Sequence, residues 1–260
     1  MKNIHRCLLL LALAPVVFTG CGDNGPAGLP GPPGPPGSLQ PVRVFFLAFE
    51  TEFNLLRMVK LAYKESLFPL GTEIHFASLL DSVPSVETLL QYDATLCFTV
   101  GEPAYPDSIG DVLADYVDQG GGVVLAQGAY SPPIMGPIRG RIMTEGYSPL
   151  IPAPVSRDPN IHYLDPNSLA LPIHPVFNGT DVDNFPIFFQ PNFSNPGLDS
   201  TATLLALDET GFNAIAINAD ENVIGVNMLG SWTFNFAFYT ESVQFMANAL
   251  MYVGGAFDRR

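Results

Sequence analysis

LADYVDQGGGVVLAQ, residues 113–127, reads as the end of one element and the start of the next. Ile109, Val112, Leu113, Tyr116 and Val117 recur with a period of 3.6 behind Pro106, a residue suited to open a helix. Gly120-Gly-Gly122 ends that helix, and GVVLAQGA, residues 122–129, follows as a strand. Upstream lie three more apolar runs: VRVFFLAF (42–49), EIHFASLL (73–80) and ATLCFTV (94–100). Near-continuous apolar runs of this length suit central parallel strands buried on both faces. Between them, Glu52 to Leu67 reads as a helix in which Phe53, Leu56, Val59, Lys60 and Tyr63 fall near helical spacing, with Leu55, Met58, Leu61 and Ala62 filling in. Pro84 to Leu90 reads as a short helix. Alternating strand and helix predicts a doubly wound, flavodoxin-like α/β sheet.

Downstream the alternation breaks. Thirteen of the 25 prolines fall between Ser131 and Ser200, too many for a helical layer. This stretch reads as an excursion of loops and short strands packed across one end of the sheet. Regularity returns at Ala202–Leu207, Ala214–Asn218 and Val223–Leu229. Ala219-Asp-Glu-Asn222 joins the last two as a hairpin turn and gives the sheet an antiparallel edge. Tyr239 to Val253 closes the chain as an amphipathic helix with Val243, Met246, Ala247, Leu250 and Met251 inward, and Gly254-Gly255 stops it.

The amino terminus carries an address. Lys2 and Arg6 precede an apolar stretch, Cys7 to Phe18, too short to span a membrane as a mature helix. Phe18-Thr19-Gly20-Cys21 resembles the lipobox of bacterial lipoproteins, with phenylalanine where leucine is usual. The resemblance implies cleavage after residue 20, acylation of Cys21 and a lipid anchor. Gly22, where an aspartate would favour the inner membrane, points to the outer one. Gly25, Gly28, Gly31, Gly34 and Gly37 then keep the collagen period of three. Residues 21–39 thus form a tether, either a stiff single-chain spacer or a trimerising stem, and residues 40–258 form the folded domain. Loss of Lys2 and Arg6 leaves the mature chain still more acidic than the formal −14, a surface that repels nucleic acid. With Cys7 removed and Cys21 lipidated, Cys97 has no disulfide partner.

At YDATLCFT (92–99) and residues 113–127 the chain resembles the class I glutamine amidotransferase-like superfamily, especially its ThuA-like branch. GRIMTEGY (140–147), HPVFNG (174–179) and IGVNMLG (224–230) add to the likeness. In that family a cysteine follows the strand matching residues 122–126, and a histidine and an acid activate it. Here Gln127-Gly128-Ala129 stands at the turn, and Ser231 falls near the histidine position. A carboxamide cannot attack as a thiolate, and a serine hydroxyl does not take histidine's part near neutral pH. The resemblance therefore implies the fold without the amidase chemistry.

Other candidates reduce to structural readings. Cys97 lies inside an apolar strand; His75, His162 and His174 share no metal-binding spacing. Asp181 with Asp183 and Asp220 with Asn222 read as turn residues, and Gly120–Gly122 lacks the lysine of a phosphate loop. No cofactor is implied. In doubly wound sheets ligands bind beyond the carboxyl ends of the strands. That places a possible pocket at Glu50, Thr99, Gly101, Glu102, Gln127 and Tyr130, joined by Ser231 and Trp232. Three functions follow: a non-catalytic, lipid-anchored binding domain; a carboxylate-dependent hydrolase of sugar-like substrates using Glu50 and Glu102; or a collagen-like trimeric stalk.

Overall fold

A computed structural model describes residues 39–257 apart from 81, 100, 102, 127, 131–136, 145, 153–161, 170–173, 188–194 and 229–239. The signal segment, Cys21, the glycine-proline tract, Glu102, Gln127, Ser231 and Trp232 lie outside the described residues.

Five strands run parallel: β1 (Arg43–Phe49), β2 (Glu73–Ser78), β3 (Ala94–Thr99), β4 (Gly122–Ala126) and, much later in the chain, β11 (Val223–Val226). Between β4 and β11 come β5 (Leu150–Ile151), β6 (His162–Tyr163), β7 (Pro186–Ile187), β8 (Gly197–Leu198), β9 (Thr203–Leu207) and β10 (Asn213–Ile217). The main sheet has the order β2-β1-β3-β4-β11-β10-β9, with β10 antiparallel to both its neighbours. This is the doubly wound arrangement with an antiparallel edge.

Alternation along each parallel strand feeds two cores. Val44, Phe46 and Ala48 face one side, with Leu96, Phe98, Val124 and Ala126. Phe45 and Leu47 face the other, with Cys97, Val123 and Leu125. Helices α1 (Glu52–Lys64) and α4 (Thr240–Val253) cover the first face; α2 (Val86–Leu89) and α3 (Pro106–Asp118) cover the second. Each fully buried Leu, Val or Phe contributes roughly 1.5–3 kcal/mol through removal of apolar surface from water. Pro106 opens α3, and at its end the Tyr116 ring lies against Gly121, its hydroxyl donating to the Tyr92 carbonyl at 2.9 Å.

Two expectations change. In α1 the buried residues are Leu55, Met58, Val59 and Ala62, whereas Phe53, Leu56 and Tyr63 are exposed. The helix carries apolar residues outside its buried stripe as well, so a second set, Phe53, Leu56 and Tyr63, also falls near the 3.6 period. The helix also stops at Lys64, before Ser66 adopts a φ of +53°. The excursion does not simply cross one end of the sheet. Ile138, Ile142 and Leu150 enter the α3 face, while Leu164, Val176, Phe177, Phe185 and Ile187 enter the α4 face. Proline prevents a helical layer there, yet single 3₁₀ turns and two-residue strands still bury apolar side chains on both faces.

Candidate functional site

The sheet reverses its winding between β1 and β3, since β1 connects to β2 on one side and β3 to β4 on the other. A ligand crevice is expected beyond the carboxyl ends of those strands. The described residues there are engaged with one another. Glu50 Oε2 accepts from the Thr51 N–H at 3.2 Å and from Asn54 Nδ2 at 2.5 Å. Thr51 caps α1 by accepting from Asn54 N, so the Glu50 carboxylate sits at a helix start, where negative charge is favoured. The Glu50 carbonyl accepts from Ser78 Oγ at 2.6 Å, tying β1 to β2.

The next residues leave little room. Phe49 lies across Gly101 so closely that a methyl group there would be 2.7 Å from its ring. Thr99 is buried. After β4 the chain turns at once, the Ala129 N–H donating to the Ala126 carbonyl at 3.1 Å. Gly128 within that turn has a φ of +95°, and any Cβ on it would collide with the Thr99 carbonyl oxygen. Tyr130 is packed in the core, with Gly225 making room for its hydroxyl. Burial pushes the Tyr130 phenol well above its usual range, against the opposite pull of a hydrogen bond with Ser148. Of the proposed pocket residues, Glu50, Thr99, Gly101 and Tyr130 lie at the carboxyl ends of the strands, with Thr99 and Tyr130 buried and Glu50 and Gly101 half-buried. Cys97 is fully buried, and that burial raises its thiol far above the range in which a thiolate forms.

Two clefts lie at the opposite, amino-terminal edge. One, of about 600 Å³, is lined by Leu90, Tyr92, Gln119, Gly121, Gly255 and Phe257, among others. A smaller one, of about 450 Å³, is lined by Asp118, Tyr147, Asn218, Asp220 and Asn222 with Val117 and Gly146. In the β10–β11 turn Asn218 Oδ1 accepts from the Asn222 and Val223 N–H groups, and Asn218 Nδ2 donates to Asn222 Oδ1. Asp181 caps the 3₁₀ turn Val182–Asn184. No group of three or more His, Cys, Asp or Glu among the described residues could hold a metal ion.

Two arrangements of side chains escaped the sequence reading. Asp107, Asp111, Asp115 and Asp118 form an acidic stripe along α3. Arg139 pairs with Asp107 at 3.0 Å, and the Arg141 guanidinium spans Asp115 and Asp118, both at 2.5 Å. Asp111 accepts from the Arg141 N–H, and Tyr147 donates its hydroxyl to Asp118. That hydroxyl, followed by Arg141, holds the Asp118 carboxyl below its ordinary range. The clip binds the start of the excursion to α3. The spacing of the acids by four, four and three residues, with no base on the same helix, was the available signal. Second, buried His162 lies 3.7 Å from buried Asp208, whose other oxygen accepts from Thr210 N, Thr210 Oγ1 and Phe212 N. His162 is in β6 and Asp208 just beyond β9; nothing in their sequence spacing links them. His174 accepts from the Val176 N–H and so caps the 3₁₀ turn Pro175–Phe177.

No protein-family model matches the sequence, and no curated protein matches it. Solved structures do match in shape. A ThuA-like protein from Bacteroides uniformis ATCC 8492 is 14% identical, with 87% of this chain and 95% of that one covered at a TM-score of 0.50. A GMP synthase component from Thermoplasma acidophilum is 10% identical, covering 83% and 96% at a TM-score of 0.50. An exo-β-1,4-mannosidase from Opitutaceae bacterium strain TAV5 is 10% identical over 82% of this chain but 36% of its own length, again at 0.50. At these identities the likeness is one of architecture, and the architecture of residues 39–257 is that of the amidotransferase-like α/β proteins.

Proposed function

We propose that the chain is a lipid-anchored cell-envelope protein whose amidotransferase-like domain binds a partner or small ligand without catalysing amide transfer. The observation that carries this reading is the turn after β4. Gly128 sits at a φ of +95° against the Thr99 carbonyl, and its sequence neighbour Gln127 is a carboxamide. Neither residue supplies a nucleophile. Cys97, the one described thiol, is sealed in the core. Acylated Cys21 anchors the domain, in keeping with the lipobox likeness, and the glycine-proline tract holds it off the membrane. The unbroken glycine period of Gly25–Gly37 suits a stiff single-chain spacer or a trimerising stem, and so few triplets favour the spacer. The test is an assay of the purified chain against glutamine, esters and glycosides. No turnover above that of Gln127→Ala or Glu102→Ala is expected; turnover that either substitution abolishes overturns the reading.

The mannosidase likeness keeps a second reading in play, a carboxylate-dependent hydrolase of a sugar-like substrate. It requires Glu50 to work as an acid or base. The bonds of Glu50 to Thr51 and Asn54 favour a helix-anchoring role instead. Glu50→Gln separates the two: an anchoring residue lowers the unfolding midpoint, whereas a catalytic one lowers turnover at unchanged stability.

A further inference from the structure

The outer face of α1 carries a row of bases on a chain whose formal charge is −14. Leu55, Met58, Val59 and Ala62 face the sheet. On the side away from it stand Phe53, Arg57, Lys60 and Lys64, spaced by four, three and four residues, with Leu56 and Tyr63 to one side. All six are exposed, Phe53 at 69% and Tyr63 at 53%. The Arg57 guanidinium lies 5.9 Å from the centre of the Phe53 ring. The Tyr63 hydroxyl donates to the Thr72 carbonyl and accepts from the Ile74 N–H, which fixes its ring along the helix flank. The other described arginines are answered: Arg43 by Asp93, Arg139 by Asp107, and Arg141 by Asp115 and Asp118. Lys64 meets Glu65 at 2.8 Å, but Arg57 and Lys60 pair with no carboxylate among the described residues.

We propose that this face docks an acidic polysaccharide, a polymer of carboxylated sugars. The inference rests on the non-catalytic binding reading above and deepens it by naming the class of partner. Along the helix axis Arg57, Lys60 and Lys64 stand about 4.5 Å and then about 6 Å apart. That is close to the length of one pyranose unit, so successive carboxylates of such a polymer meet successive bases. The exposed rings of Phe53 and Tyr63 offer flat apolar faces on which sugar rings stack. Other partners fit the face less well. A convex ridge of roughly 20 Å by 10 Å falls far short of the roughly 800 Å² per partner that a stable protein interface buries. A linear polymer needs no such area, because it meets the row by charge and can rebind along its length. An interfacial helix turns its apolar side into the lipid, whereas here Arg57, Lys60 and Lys64 hold the crest and Leu56 and Tyr63 lie to one side. A nucleic acid, with one charge per about 1.7 Å, meets stronger repulsion from the acidic remainder of the chain. The acids of α3 stand behind the sheet, with the body of α1, about 10 Å across, also between, and the Debye length at 0.1 M salt is about 10 Å. The bases therefore act at contact range while those acids are screened.

The test measures binding of the mature chain with Cys21→Ser, which removes the proposed lipid site, to immobilised alginate, a polyuronate. Binding is expected at low salt, with release in high salt and no retention on neutral dextran. Arg57→Gln with Lys60→Gln is expected to weaken it about tenfold, the effect of losing two exposed ion pairs. Arg57→Lys with Lys60→Arg, which keeps both charges, is expected to bind as the parent does, and so is Arg139→Gln beside α3. These positions are exposed, so the unfolding midpoints of the α1 variants are expected to match the parent's. Absence of alginate binding, or a double Gln variant that binds like the parent, overturns the inference. So does equal or tighter binding to single-stranded DNA or to phosphatidylglycerol vesicles, which would assign the face to another polyanion or to a membrane. Each of these results leaves the non-catalytic reading standing. Shortening of the alginate by the chain overturns that reading instead, while loss of binding in the double Gln variant still upholds the docking face.

Discussion

At Gly128 the backbone enters the left-handed region beside the carbonyl of Thr99, and both facts forbid a side chain. Left-handed backbone costs an L-residue roughly 1–2 kcal/mol, and overpacking adds typically 1–3. Gly128→Ala is therefore expected to lower stability by about 2–5 kcal/mol, read as a drop in urea midpoint at unchanged slope. A change below about 0.5 kcal/mol, the range of an ordinary surface substitution, would remove the steric argument. The same geometry bears on the neighbouring carboxamide. Under the proposed non-catalytic reading, Gln127→Cys is expected to show no glutaminase activity; turnover by that variant would overturn the reading. Of the residues proposed for the pocket, the sequence named those near the strand ends but not their condition. Tyr130 reads as a polar rim residue by composition; it is buried because Gly225, nearly a hundred positions later, makes room for it.

The clip between α3 and the excursion belongs to the scale of elements. Its members are exposed, so salt screens them. Arg141→Met is expected to lower the unfolding midpoint at low ionic strength and to match the parent chain in high salt. Equal effects at both salt concentrations would assign Arg141 a packing role instead. Because Asp118 is held below its ordinary carboxylate range, its share of the clip is present above that range and is lost as pH falls through the lowered value. Strand positions in the first half of the chain followed directly from apolar run length, and the helices from glycine and proline punctuation. The buried face of α1 did not. Its two apolar stripes are equivalent by period, and contact with the sheet alone selects Leu55, Met58, Val59 and Ala62 over Phe53, Leu56 and Tyr63.

Across the whole domain, Cys97 has no disulfide partner among the described residues and lies fully buried. Its thiol is expected to resist a maleimide or disulfide reagent in the native state and to react at the rate of global unfolding. Rapid labelling in buffer would mean that the β3 core opens locally. His174 gives the fold a pH dependence. Burial, its main influence, lowers its pKa from 6.5, with Glu221 pulling the other way. The unfolded chain then binds the proton more readily, so this contribution is complete above about pH 6.5 and erodes as pH falls below it, with a slope of up to about 1.4 kcal/mol per pH unit. His174→Gln is expected to flatten the denaturation midpoint between pH 7.5 and 5.5; an unchanged slope would assign the dependence elsewhere.

Run length, punctuation and order of elements carried the architecture, because a parallel strand buried on both faces and a helix stopped by glycine are local events written in adjacent residues. That Gln127 is a carboxamide was equally plain, since residue identity is read directly from the sequence. What the letters did not carry was everything that depends on distant partners: the acidic stripe answered by Arg139 and Arg141, the approach of His162 to Asp208, and the two clefts at the amino-terminal edge. Those are set by which surfaces meet once the chain closes, and no short-range pattern encodes that meeting.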